Sequence, residues 1–431
     1  MEESLQITIL ISVTVVAGIA AQVVAGYFQI PSIVLLLLFG ILLGRDCLAF
    51  LDPSLLGVGL EVVVSLSVAL ILFEGGLNLQ LGELKEVSTS LRNLVTLGVL
   101  ITLLGAGIAA HWLSEFPWTI AFLYASLVVV TGPTVINPLL KQIGVEKQVA
   151  TLLEGEGVFI DPIGAILSVI VLHFVQSGNV QPLILIKGLV LPLGIGGAIG
   201  ISGGWLLSQL LKQDKFLLQE LKNLVVLASV WGLFSLAQVL QGESGLVVAV
   251  VMGIVLKASH LSSEPLLRRF NEQLSILSNS VLFILLAADL SIASVFALGW
   301  GSVLTVLVLM LIVRPVDVLI STWNQAYTWQ QQLFLCWVAP RGIVAASLAS
   351  LFAVSLAKHG INGGDSIKAL VFLTIMMTVF FQGLTAGWAA SLLNLSLTSQ
   401  PDQKCLQSTN DYINTQIADD KNSTVAKLVD S

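Results

Sequence analysis

Apolar windows of about twenty residues recur from Leu5 to roughly residue 395, and a chain patterned in this way cannot close a soluble core. They fall near 5–27, 31–50, 57–78, 92–113, 117–141, 147–175, 182–211, 219–240, 243–258, 272–291, 296–322, 331–355 and 367–395. In hydrocarbon every backbone N–H and C=O must find a partner inside the protein, and a helix satisfies them one segment at a time. The pattern therefore predicts an all-α polytopic membrane protein of about 13 transmembrane helices. Composition agrees. Only 10% of the residues are charged, against roughly 25% in a soluble domain.

Basic residues orient the spans. With the N-terminus outside, thirteen Lys and Arg, among them Lys85, Arg92, Lys141, Lys147, Arg268 and Arg269, fall on the inner side or in the tail. Only Arg45, Lys187, Lys358 and Lys368 fall outside, so the C-terminus is expected in the cytoplasm. Met1–Gln6 is acidic and lacks the basic start of a secretory signal, so Leu5–Tyr27 reads as a retained span. Residues 398–431 turn polar and read as a disordered cytoplasmic tail. Cys47, Cys336 and Cys405 lie far apart, which suggests neither a disulfide framework nor a metal cluster.

Against this background, Glu154-Gly155-Glu156-Gly157-Val158-Phe159-Ile160-Asp161-Pro162 places three carboxylates inside an apolar span. A charge at bilayer depth costs from roughly 3 to more than 10 kcal/mol, and chains retain one where it has a use, commonly to hold a cation or a proton. Glu154 and Asp161 are seven apart and share a helix face, whereas Glu156 points about 140° away from Asp161. Pro162 removes the donor that would pair with the Val158 carbonyl and leaves a hard-cation ligand one turn from Asp161. Gly155 and Gly157 predict a close approach of a neighbouring backbone. Glu156 reads as one half of a structural ion pair, because two arginines, Arg314 and Arg341, also fall within spans and keep their charge.

Two spans read as interrupted. Thr131-Gly132-Pro133-Thr134-Val135-Ile136-Asn137-Pro138 cannot hold a regular helix; Pro133 frees the carbonyl of Val129 and Pro138 that of Thr134. Pro340-Arg341-Gly342 interrupts span 331–355. Paired interruptions in corresponding halves are the sequence sign of a secondary transporter built from inverted repeats. Glu74, in Phe73-Glu74-Gly75-Gly76-Leu77-Asn78, is placed a turn inside the inner face, either on an ion pathway or as an interfacial charge. Glu272, Asp289 and Asp317 sit near span ends and read as interfacial. Gly242-Glu243-Ser244-Gly245 matches a short intramembrane-protease motif, but no histidine is placed for a buried dyad, and neither a Walker A sequence, HExxH nor GxGxxG occurs. No enzyme, no cofactor and no nucleic-acid partner is expected.

Leu72–Leu79, the run from Thr131 to Leu140, Leu153–Ile166, Arg314-Pro315 and Pro340–Ser347, in this order, resemble the monovalent cation:proton antiporter family 1, the NhaP-type sodium/proton exchangers. The resemblance covers about 1–395 and implies two crossed discontinuous helices. It implies domains of scaffold and dimerisation helices 1–3 (1–91), transport helices 4–6 (92–175), a linking helix 7 with scaffold helices 8–10 (176–291), transport helices 11–13 (292–397) and the tail. It further implies that Asp161 exchanges Na⁺ for H⁺, that Glu156 pairs with Arg314, that Thr131 and Glu74 lie by the pathway, and that Arg341 sits at the second break. Thr131, Glu74, the Val158 carbonyl and Gly157 would surround the cation. Gly132, Pro133, Asn137, Glu154 and Arg341 would support the crossing. A homodimer in the cell inner membrane is implied. Gly157, Ile160 and Gly132 replace the usual Ser, Asn and Asp of the family pattern, so fewer oxygens are offered, and a weaker hold on a strongly hydrated ion, or acceptance of K⁺, would follow; Na⁺ is the first expectation, with K⁺ or Li⁺ as alternatives. Ile160 is not an acid, so one titrating carboxylate implies electroneutral exchange. A passive channel, or a degenerate transporter acting as a sensor or scaffold, is the alternative.

Overall fold

The computed structural model describes residues 2–28, 30–79, 81–177, 182–212, 219–259 and 264–396; the expected tail at 398–431 lies outside the described residues. Eighteen α-helices build it in chain order: α1 (Glu2–Phe28), α2 (Ser32–Leu43), α3 (Val58–Asn78), α4 (Leu81–Asn93), α5 (Val99–Leu113), α6 (Trp118–Val128), α7 (Pro133–Ile143), α8 (Lys147–Ser177), α9 (Pro182–Leu211), α10 (Gln219–Leu240), α11 (Ser244–Ala258), α12 (Glu264–Ala288), α13 (Ile292–Ala297), α14 (Gly299–Val308), α15 (Arg314–Ser321), α16 (Trp329–Trp337), α17 (Ile343–Lys358) and α18 (Gly364–Leu392). With α4–α5, α6–α7, α13–α15 and α16–α17 each counted as one passage, they make the thirteen crossings that the apolar windows predict.

Several spans differ in detail from the sequence reading. The second crossing is helical only over Ser32–Leu43; Gly44 to Asp52 is irregular and is closed by an ion pair between Arg45 and Asp52. The fourth begins eleven residues before its apolar window, because Leu81–Asn93 is a polar helix whose Leu84 and Leu91 lie against Gly155 of α8. It continues through a π-helical turn at Leu94–Gly98 into α5. The eleventh crossing carries a second π turn at Leu309–Val313, directly before Arg314-Pro315. Pro315 has no N–H to give and its ring crowds the preceding turn, which the wider turn relieves.

Packing divides the helices into two groups. The first joins α1, α2, α3, α9, α10, α11 and α12; the second joins α4–α8 with α13–α18. Glycines bring the first group together closely. Gly196, Gly200 and Gly204 of α9 sit against Val247, Val251 and Val255 of α11, and Gly253 of α11 faces the Phe73 carbonyl of α3. Backbone approach of this kind was expected at Gly155, but Gly155 is covered by leucine side chains instead. The groups meet where α3, α9 and α11 face α8, where α3 and α12 face α17, and where α2 faces α18. Large apolar side chains on the outside, such as Val16, Val23, Trp205, Val239, Leu311 and Trp300, are exposed, as a lipid-facing perimeter requires.

Candidate functional site

The two interrupted crossings meet at their breaks. Residues 130–132 and 338–342 leave the helices, and Thr131 and Arg341 form an antiparallel β-bridge. The Gly132 N–H donates to the Pro340 carbonyl at 3.3 Å. Gly342 has no Cβ, and one would run into the Gly132 Cα, so the crossing needs glycine at 342. Pro133 opens α7 at its first position, where its missing N–H costs nothing. The crossing gathers the positive ends of α7 and α17 and the negative ends of α6 and α16 at one depth.

Nearby side chains complete the broken backbone. The Arg341 Nη1 donates to the Val129 carbonyl at 3.2 Å. That carbonyl is the one freed by Pro133, so it is taken by the guanidinium and is not left for a cation. The Arg341 N–H donates to Thr378 Oγ1 at 3.2 Å and the Ala339 N–H to Gln382 Oε1 at 3.1 Å. Tyr124, fully buried, shares a hydrogen bond of 2.8 Å with Thr374 Oγ1. Thr374, Thr378 and Gln382 lie on one stripe of α18, four residues apart. Sequence reasoning missed all three, although that spacing of polar groups inside an apolar span was the available signal.

Asp161 lies near the middle of α8, fourteen residues from Lys147, or about 21 Å along the axis. It is 1% exposed, and its Oδ1 has no hydrogen-bond partner among the described residues. Thr131 Oγ1, also buried, is likewise unpartnered. Gly164, three residues beyond Asp161, receives the Val130 side chain, which brings this turn of α8 against the first break. On the other side Val158 packs on Gly75 of α3. Gly157 is buried on the same helix, and Glu154 is half-buried. Glu74 is half-buried near the end of α3, where its Oε1 accepts from Asn78 at 3.1 Å. Asn137 stands on α7, and its side chain lies outside the described ones.

Glu156 and Arg314 meet as a bidentate ion pair of 2.6 and 2.8 Å with almost no exposure. Arg314 also donates to Asp317 at 3.3 Å and, through Nε, to the Leu335 carbonyl at 3.3 Å. Asp317 is therefore not interfacial. It is 4% exposed, its Oδ1 accepts from Ser321 at 3.2 Å, and Gly98 in the first π turn leaves room for it. Asp289, by contrast, is partly exposed and pairs with Lys368 at 2.5 Å. The second helix group thus buries three acids, Glu156, Asp161 and Asp317, and two arginines, Arg314 and Arg341, among the described residues.

Two cavities enter between the helix groups from opposite ends of the spans. One, of about 650 Å³, is lined by Glu61, Val68, Glu243, Leu246, Val344 and Lys368. The other, of about 800 Å³, is lined by Gln22, Pro31, Val135, Leu139, Gly383 and Gly387. Asp161 lines neither, so both end short of it. No group of three His, Cys, Asp or Glu suited to a resident metal occurs among the described residues. An orphaned carboxylate oxygen and hydroxyl fit a single hard monovalent ion, completed by carbonyl or water oxygens.

The family described as sodium/hydrogen exchanger, transmembrane, matches residues 10–392. The low-affinity Na⁺/H⁺ antiporter NhaS1 of Synechocystis sp. is 28% identical over 416 residues, covering 92% of this chain and 76% of that protein. The Na⁺/H⁺ antiporter ApNhaP of Aphanothece halophytica is 26% identical over 411 residues, covering 90% and 75%. The solved structure of the sodium proton antiporter MjNhaP1 from Methanocaldococcus jannaschii superposes with a TM-score of 0.79 at 22% identity, covering 91% of this chain and 99% of that one.

Proposed function

Because the chain belongs to the sodium/hydrogen exchanger family, we propose that it exchanges a monovalent cation for H⁺ at Asp161, one for one. The observation that carries this reading is the buried, unpartnered Oδ1 of Asp161 beside a broken-helix crossing. The ionised form is costly there without a partner, and the partner is either a proton or a cation. Occupancy by one excludes the other, and that competition couples the two fluxes. Na⁺ is the first expectation. Gly132 and Gly157 offer no side-chain oxygen, which favours a weak hold on a strongly hydrated ion and leaves room for K⁺.

Charge counting supports the stoichiometry. With Asp161 empty, the buried acids of this helix group exceed the arginines by one; with either H⁺ or a monovalent cation bound, the set is neutral. Loaded carriers of both kinds then cross without net charge. Alternating access moves α4–α8 and α13–α18 against the remaining helices, so that each cavity in turn deepens to Asp161. Glu74 lies by the route from the end of α3; Thr131 and the Val158 carbonyl are ion ligands, and Glu156 with Arg314 fixes α8 to α15. A homodimer in the cell inner membrane, with the N-terminus outside, completes the proposal. The test is dye-monitored ΔpH in proteoliposomes titrated with Na⁺, K⁺ and Li⁺, with and without a valinomycin clamp. Cation-driven proton flux, insensitive to the clamp and abolished in Asp161→Asn, is expected. Flux retained in that variant removes Asp161 from its role, and single-channel currents would make the protein a channel.

A further inference from the structure

Asp317 enters the charge count of the exchange but holds neither ion. Glu156 already satisfies Arg314 with two short hydrogen bonds, and Asp317 approaches the same guanidinium at 3.3 Å from three residues along. A third buried carboxylate is costly to retain without a use. Its place is nevertheless built: Gly98 leaves the space that its Oδ1 occupies, Ser321 donates to that oxygen, and Asn93 of α4 fixes the end of α15 through the Ser321 carbonyl at 3.0 Å. The Arg341 guanidinium, for its part, donates to the Val129 carbonyl, its Nε has no hydrogen-bond partner, and no carboxylate lies within ion-pair distance of it among the described residues.

We infer that Asp317 tunes the exchange: its negative charge offsets that of Arg341, and so sets how tightly Asp161 holds either H⁺ or the cation. Without it, the two arginines face one structural acid, and a carboxylate at Asp161 is favoured over either of its loaded forms. Five residues separate Glu156 from Asp161, about 7.5 Å of helix. Asp317 lies beyond Arg314, so its charge acts across ~12–15 Å. At an effective dielectric near 20, one charge over that distance alters binding about five- to tenfold.

The other charged or titratable groups around Asp317 are Arg314 on α15, Glu156 on α8, Arg341 before α17 and Cys336 on α16, whose Sγ lies 4.0 Å from the Pro315 carbonyl. Arg92 on α4 is exposed. On the elements around Asp161 they are Glu74 on α3, Tyr124 on α6 and Glu154 with Glu156 on α8. All of these are kept in the test. The inference rests on Asp161 being the exchanging carboxylate. That premise fails separately, if Asp161→Asn still exchanges.

The experiment is cation-driven exchange by Asp317→Asn and Asp317→Glu in proteoliposomes, at several cation concentrations and pH values. For Asp317→Asn the expected result is an apparent KM for the cation raised about five- to tenfold, the pH profile moved about 0.7–1 unit toward acid, and a maximal rate within about twofold at the shifted optimum. Asp317→Glu should restore both. A merely structural role would lower the maximal rate and leave KM and the pH profile together in place. That result, or a shift toward alkaline pH, overturns the inference. If Asp317→Asn does not yield folded protein, Asp317→Ser combined with Ser321→Asp moves the charge by one turn. Wild-type KM and pH profile then support the inference, and a shift of the full size overturns it.

Discussion

Replacing Glu156 by alanine strands Arg314, and the size of the effect follows from what the guanidinium retains. Breaking a buried ion pair by removing one partner costs about 3–5 kcal/mol, because the remaining charge stays desolvated. Arg314 would keep Asp317 at 3.3 Å and the Leu335 carbonyl at 3.3 Å, so the loss falls at the lower end, about 3 kcal/mol. Glu156→Gln keeps the volume and one acceptor and should cost about 1–2 kcal/mol. Asp317→Asn alone should cost less than Glu156→Ala, since the bidentate pair survives. Combining Glu156→Ala with Asp317→Asn removes both carboxylates, and the double variant should be less stable than the sum of the singles by about 1–3 kcal/mol. Nine tryptophans give a fluorescence signal for unfolding of the detergent-solubilised protein, so the wild type and the four variants can be compared directly. Apparent cation affinity, measured in parallel, should change less than stability in Glu156→Ala. Unchanged stability in that variant, or strict additivity in the double variant, would refute the shared-guanidinium reasoning.

Other consequences are equally concrete. Gly342→Ala sets a methyl against the Gly132 Cα, where backbone meets backbone; it should abolish exchange and lower the yield of folded protein, measured by size-exclusion profile and flux. Thr378→Val removes the acceptor for the Arg341 N–H and should destabilise by about 1–3 kcal/mol, read as a lower unfolding midpoint. Glu243, in the turn between α10 and α11 at the mouth of one cavity, has its carboxyl pushed up to about 7 by burial, against a lowering hydrogen bond from Gln238. A carboxyl raised in the folded state stabilises while it holds its proton, and that stability is lost as pH rises from the unfolded value toward 7. Between pH 5 and 8 the protein should lose about 2 kcal/mol through this group, and Glu243→Gln should remove that part of the pH dependence in thermal unfolding.

Much of this was legible in the sequence because bilayer physics constrains it strongly. Length and apolar windows give thirteen crossings, and Pro133 and Pro340 mark the breaks, whereas Pro138 lies inside α7 and does not interrupt it. The Glu156–Arg314 pair came from the resemblance; composition alone left either arginine open. Asp317 was misread because distance from a span end was used as a proxy for depth. Its partners, Arg314 and Ser321, lie on its own helix α15, and only the packed structure reveals that this turn faces inward. Leu81–Asn93 escaped because its helix is stabilised by Leu84, Val87 and Leu91 packing within the protein, a signal that mean hydropathy averages away. The two π turns have no one-dimensional signature. The fate of the Val129 carbonyl depended on an arginine 212 residues distant.

Competition at Asp161 is most directly tested by proton release from purified protein in weakly buffered detergent solution on addition of Na⁺, K⁺ or Li⁺. Each protomer should release a proton as the ion binds at intermediate pH, with release falling off at both pH extremes and absent from Asp161→Asn. Ion binding without proton release, or release unchanged in Asp161→Asn, would contradict the account.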